Sequence, residues 1–316
     1  MKQGLLILLL FACIGSAAAQ RTVKYLDYLG RSVPVERASF YATTLSVNDL
    51  YYHQIFYIRE DRLQMDGFFT EADCKIKQGL FYYYYPNGNI EKLCNYKKNK
   101  LNGRYVSFYE NGMMKDSAYY TNGRINGYKF SWHNNGMFKD SMFIYDDGGG
   151  GSISWYRNGQ PCSGGYFAAG GQPRGTWQYF HFNGKPAAKE RHENGKLVEK
   201  KYYDTSGNEE QDSTNTDRVL SFPGGDAGWK KYVEDRAIIP TGWESIKTGD
   251  IVVGITAIID HEGHVTDAFV SSPFHPAFDQ LALKTITSSP PWLPAIEHHR
   301  AVDTEVVLPV SFVQAK

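Results

Sequence analysis

The stretch GLFYYYYPNG at residues 79–88 returns in kind as GRYVSFYENG at 103–112: alternating aromatic or apolar residues running into Asn-Gly. Working outward, Asn-Gly recurs at 87–88, 111–112, 135–136, 158–159 and 183–184, and Ser206-Gly207 closes the series. Successive glycines lie 24, 24, 23, 25 and 23 residues apart. Asn and Gly both tolerate positive φ, as the two centres of a type I′ turn require, so the spacing predicts a β-hairpin in every unit. Four residues before each glycine stands an aromatic: Tyr84, Phe108, Trp132, Trp155, Phe180 and Tyr203. Two residues earlier, on the same strand face by the period of two, stand Tyr82, Val106, Phe130, Ile153, Gln178 and Lys201. A second, looser turn is expected eleven residues after the first, at Asn99, Asn122-Gly123 and Asn194-Gly195. The fold class is therefore mainly β, an antiparallel hairpin meander whose stacked units share an aromatic face that no single hairpin could bury.

This pattern resembles the MORN-repeat variant of YwqK-type antitoxin-like proteins over residues 78–210. The resemblance implies a scaffold of repeated hairpins and leaves the partner open. Residues 20–77 read as a β-rich lead-in, with strands at 51–57 and 67–69 forming a degenerate first unit and a cap. The triplets Lys115-Asp116-Ser117 and Lys139-Asp140-Ser141 look catalytic, but they occupy one repeat position 24 residues apart and read as a solvated strand face. The run Asp146-Asp147-Gly148-Gly149-Gly150-Gly151 lacks the Lys-Ser/Thr ending of a phosphate loop and falls where a looser turn belongs, so it reads as a flexible loop.

The 316 residues carry 34 basic and 34 acidic side chains, a formal charge of +0, which removes the basic footprint of a nucleic-acid binder. Aromatic residues make up 15% of the chain, mostly 23 Tyr and 18 Phe, a mixture suited to strands and tight turns. Lys2, the apolar run 5–14 and Ala17-Ala18-Ala19 have the order of a secretory signal peptide spanning residues 1–19. Cleavage before Gln20 would make the mature chain periplasmic. The alternatives are an uncleaved inner-membrane anchor and a lipoprotein through Cys13. Cys74, Cys94 and Cys162 remain; they read as buried thiols, with Cys74–Cys94 the nearest pair if one disulfide forms.

After a polar linker at 211–221 the pattern changes. Trp229, Tyr232 and Val233 have helical spacing behind Asp226 as a cap, and 250–259 and 264–270 read as strands joined by a turn at 260–263. Phe278, Leu281, Ala282 and Ile286 mark a second helix after Pro276, and 304–313 a last strand. That order is a small α+β unit with its sheet covered on one face.

The sequence FPGG at 222–225 with Trp229 and Tyr232, VVGITAIID at 252–260, FDQLAL at 278–283, WLPA at 292–295 and VLPVSF at 307–312 resembles the C-terminal domain of TonB across 222–313, within a C-terminal domain of residues 222–316. The resemblance implies a periplasmic protein-binding module that grips an extended segment of an outer-membrane transporter by strand addition. The matching edge strand is Glu305, Val306, Val307, Leu308, Pro309, Val310, Ser311 and Phe312. The first 20 residues contain no His and the chain has no long Pro-rich spacer, so the binding property transfers more readily than energy transduction.

The sequence His261-Glu262-Gly263-His264 is not the His-Glu-x-x-His of a metal helix, and no Gly-x-Ser-x-Gly elbow occurs. The chain reads as a non-enzymatic envelope scaffold with a protein partner, without catalytic residues, metal or cofactor. A membrane-anchored transducer and an antitoxin-type repeat protein are the competing expectations.

Overall fold

A computed structural model describes residues 22–211, 214, 216–243, 245, 247 and 251–315. The leader reading at 1–19, Cys13 included, lies outside the described residues. Among those residues no helix is long and apolar enough to cross a membrane.

Alternating aromatic and polar residues bounded by Gly, Asn and Pro favour short pleated strands. The strands are β1 (Thr22–Leu26), β2 (Phe40–Val47), β3 (Leu50–Tyr57), β4 (Arg62–Phe69), β5 (Lys77–Tyr84), β6 (Ile90–Lys97), β7 (Lys100–Phe108) and β8 (Met114–Thr121). They continue as β9 (Arg124–Trp132), β10 (Phe138–Ile144), β11 (Gly150–Trp155), β12 (Pro161–Phe167), β13 (Pro173–Phe180), β14 (Pro186–Glu193) and β15 (Lys196–Tyr202). All fifteen form one antiparallel sheet in chain order. The expected cap at 20–77 is absent from the described residues: β1 to β4 simply begin the same meander.

The two kinds of turn exchange places relative to the expectation. At the Asn-Gly corners Gly88 N donates to Tyr85 O (2.8 Å) and Tyr85 N to Asn89 O (2.9 Å). Gly88 has φ +90 whereas Asn87 stays out of the left-handed region. This is a type I turn closed by a left-handed glycine, not a type I′ turn. True left-handed pairs sit at the opposite end of the units, at Lys98-Asn99 (φ 50 and 66), Asn122-Gly123 (51 and 84) and Asn194-Gly195 (50 and 74). The run at 146–151 makes an Asn-Gly-type corner rather than a flexible loop: Gly148 N bonds Tyr145 O (2.9 Å), and Asp147 Oδ1 accepts from Gly149 N (2.8 Å).

Asparagine is needed at the corners for its amide. Asn87 Oδ1 accepts from Asn89 N (2.8 Å) and its Nδ2 donates to Glu110 O in the next unit (3.1 Å). The same rung runs from Asn111 to Asn134 O (2.9 Å), Asn135 to Arg157 O (2.9 Å), Asn158 to Phe182 O (3.0 Å) and Asn183 to Thr205 O (2.8 Å). A second series lies alongside. Tyr85 Oη donates to Phe108 O (2.8 Å) and Tyr109 Oη to Trp132 O (2.7 Å). His133 Nε2 bonds Trp155 O (2.8 Å), Tyr156 Oη bonds Phe180 O, and His181 Nε2 bonds Tyr203 O (2.9 Å).

The C-terminal unit comprises α1 (Gly225–Glu234), β16 (Val252–Ile259), β17 (Val265–Ser272), α2 (Pro276–Thr287), β18 (Ala295–Glu297), β19 (Arg300–Val302) and β20 (Thr304–Ser311). Gly224, in the left-handed region, occupies the N-cap of α1, so Asp226 lies in the first helical turn and favours the helix through its dipole instead of capping it. The main sheet has the order β17-β16-β20, and β18 and β19 form a separate hairpin that the sequence reading lacked. Val253, Ile255, Ile259, Phe278, Ile286, Val310 and Phe312 form the core between sheet and helices. The expected linker ends early, because Arg218 and Ser221 already exchange backbone bonds with Ile296 and Leu293.

Candidate partner-binding edge and inter-unit face

The eight residues singled out on the last strand divide by parity. Phe312 N bonds Ile251 O (3.3 Å), and β20 keeps one unbroken register with β16, from Thr304↔Ile259 to Ser311↔Val252. Even-numbered residues therefore direct their backbone groups to β16, whereas 305, 307, 309 and 311 direct theirs to the other side. Val306 and Leu308 pack against the core, and Val310 and Phe312 are fully buried in it. Glu305, Val307, Pro309 and Ser311 are exposed, Val307 by 67%. Pro309 falls on the outward parity, where its missing N–H costs the β16 ladder nothing. Beyond the strand, Val313 is bridged by Ile238, and Ile239 N donates to Val313 O (2.8 Å). Along the outer side of β20 runs a groove of about 270 Å³ between Trp229, Lys230, Val233 and Glu234 of α1 and Pro309 and Ser311.

The aromatic column expected in the repeats is placed differently. Tyr84, Phe108, Trp132, Trp155, Phe180 and Tyr203 are only half-buried. Their companions Ile153 and Gln178 are exposed, so apolarity is not demanded at that position. The buried rings belong to the opposite parity: Phe81, Tyr83, Tyr85, Tyr109, Tyr156, Trp177 and Tyr179. Tyr85, Tyr109, His133, Tyr156 and His181 escaped the sequence reading because the column mixes Tyr with His; its shared signal is a ring carrying a donor.

That parity faces the C-terminal unit. Tyr85 meets Phe269 edge to face, and Phe182 stacks on His261 at 3.9 Å. Tyr179 stacks on His298 at 3.8 Å and Tyr202 on His299 at 4.5 Å. Lys115 Nζ bonds both carboxylate oxygens of Glu305 (2.7 and 2.8 Å), and Asn134 Nδ2 bonds Asp267 (2.7 Å). His298 Nδ1 lies 3.0 Å from buried Glu190. The Lys-Asp-Ser triplets are thus no plain solvated face. Asp116 accepts from Ser107 (2.9 Å), and Asp140 accepts from Ser131 (3.0 Å) and Ser154 (2.5 Å), all along one row of the sheet.

Cys74, Cys94 and Cys162 are free thiols, and burial pushes each thiol above its ordinary pKa. Burial likewise pushes the Tyr156 phenol up to about 12. Asp260, Glu262 and His264 can bring ligand atoms within 4.8 Å of one another, but Asp260 Oδ1 already accepts from the backbone of Glu262 and His264 and closes the turn. His261 is committed to Phe182 and to Asp303.

Three segments of the sheet, residues 77–98, 101–123 and 187–205, match the MORN repeat variant. They cover β5 with β6, β7 with β8, and the end of the meander through β15. No curated protein matches the chain.

Proposed function

We propose that the chain is a non-enzymatic scaffold of the cell envelope whose TonB-like C-terminal unit takes an extended segment of an envelope protein on the outer side of β20. The observation that carries this reading is the parity of β20. Its outward backbone groups lie beside a groove, and its one proline sits where it spares the internal ladder while limiting indiscriminate pairing. The repeat sheet supports the reading by holding the unit through Glu305, at the start of that strand. Export rests on the leader-like residues 1–19.

Proline scanning tests it. Val307→Pro removes an outward N–H and costs about 1 kcal/mol or less on an edge. Val306→Pro removes a bond to β16 and costs about 3 kcal/mol. A photo-crosslinker at Ser311 in the exported full chain should capture one discrete envelope protein through an extended segment, and V307P should abolish that product while Tm stays near wild type. Capture unaffected by V307P rejects strand addition.

Exposed aromatics favour a second reading, in which the sheet face opposite the C-terminal unit takes the partner. Tyr128, Tyr145 and Tyr166 stand exposed there. A crosslinker at Tyr166 would then capture the partner and one at Ser311 would not.

A further inference from the structure

The C-terminal unit and the repeat sheet frame a half-open cavity of about 500 Å³. Its sheet side presents Asp140, Tyr156, Cys162, Trp177 and Tyr179, and its roof is built largely from β19 and the start of β20. Arg300 of β19 lies in that lining and is only 7% exposed. Its guanidinium rests near the rings of Tyr156 (5.8 Å) and Tyr179 (5.6 Å), and Nη1 donates to Tyr156 Oη at 3.3 Å. Among the described residues it forms no ion pair, and its Nε is buried without a hydrogen-bond partner. A guanidinium keeps its charge at any ordinary pH, so this is a buried cation with a donor unmet and no carboxylate in ion-pair contact, Glu297 across the hairpin acting on it only at longer range, an arrangement folds seldom retain for stability.

Arg157 adds a second unsatisfied donor. Its Nη2 bonds Asn134 Oδ1 (2.9 Å), but its Nε is 3.7 Å from Asp303 and makes no hydrogen bond. The acids of the lining are differently placed. Glu305 is held by Lys115, Asp303 accepts from His261 N (3.0 Å), and Asp140 accepts from two serines.

We infer that this cavity is a binding site for a small organic monocarboxylate whose anionic group sits on Arg300 and whose body packs against Trp177 and Tyr179. A carboxylate matches the planar fork of a guanidinium and supplies the missing acceptors. Asp140, Glu297, Asp303 and Glu305 in the same lining repel dianions and accept an ammonium group, so an amino acid or dipeptide suits the site better than phosphate or sulfate. The volume is that of an ordinary small-molecule pocket.

Calorimetry and thermal shift on the purified full chain test the assignment. The probes are phenylalanine, glutamine and alanyl-alanine, with phenylalaninamide as the uncharged counterpart and inorganic phosphate and sulfate as dianions. At least one carboxylate probe should bind saturably, with the amide at least tenfold weaker and the dianions without effect. Arg300→Met should raise the Tm of the free chain, because it removes a buried charge with an unmet donor, and should abolish the carboxylate response; a merely structural Arg300 would lower it. A readout independent of that variant is Cys162 in a Cys74→Ser background, which the bound carboxylate should protect from iodoacetamide. Absence of both stabilisation and protection with every carboxylate probe, or equal binding of amide or sulfate, overturns the inference.

Discussion

A single asparagine at each Asn-Gly corner of the meander does two jobs. Its oxygen closes its own turn and its amide nitrogen ties that turn to the next unit, as Asn111 does with Met113 N and Asn134 O. Each bond contributes about 0.5–1.5 kcal/mol net. Asn111→Ala should therefore cost about 1–2 kcal/mol, and Asn111→Asp, which keeps the turn acceptor and loses the donor, about half as much. Urea unfolding of the three proteins checks the grading; an Asp variant as stable as the wild type would show that the link between units contributes nothing. Asn-Gly was legible in the sequence, but for its backbone tolerance and not for this amide. The neighbouring rung from Tyr85 to His181 was illegible because Tyr and His share a donor function without sharing a residue type.

Strands read well wherever alternation is strong. α2 read well too: Phe278, Ala282 and Ile286 are buried at helical spacing. The β18–β19 hairpin did not, since its turn is His298-His299, both left-handed (φ 50 and 63), with neither Gly nor Asn to announce it. Stacking of both imidazoles on the sheet's Tyr179 and Tyr202 offsets the cost of that backbone. Glycines inside strands carry a packing message. A Cβ on Gly67 would lie 2.3 Å from the Phe81 ring, and one on Gly165 2.2 Å from the Trp177 ring, so each ring lies flat over bare backbone of the adjoining strand. Gly165→Ala should destabilise by about 1–3 kcal/mol through overpacking, with near-ultraviolet dichroism of the tryptophans altered. A Gly165→Ala chain with unchanged signal and stability would contradict the packing described. Trp177 being part of the cavity lining, the same substitution should weaken carboxylate binding.

The meander and the C-terminal unit are each legible from sequence, yet their mutual placement is not. The contacts joining them, such as Lys115–Glu305 and Glu190–His298, link residues 190 and 108 positions apart and leave no local signature. The foothold spans several units, so unit spacing matters. Deleting residues 113–136, one period, should leave the array continuous, because each rung joins equivalent positions of adjacent units. It should also remove Lys115 and Asn134 and set the remaining contacts out of step. Unfolding should then split into two transitions, with faster amide exchange over 295–311; one unchanged cooperative transition would refute the coupling. The foothold has a mechanical consequence. A meander pulled by its last strand peels one hairpin at a time, each at low force. The C-terminal unit instead touches the sheet from Arg59, just past β3, to Tyr202 on β15, so tension entering through a segment clipped to β20, as proposed, would be shared among those strands at once. A pull on the C-terminal unit would therefore load many hairpins together instead of opening them one after another.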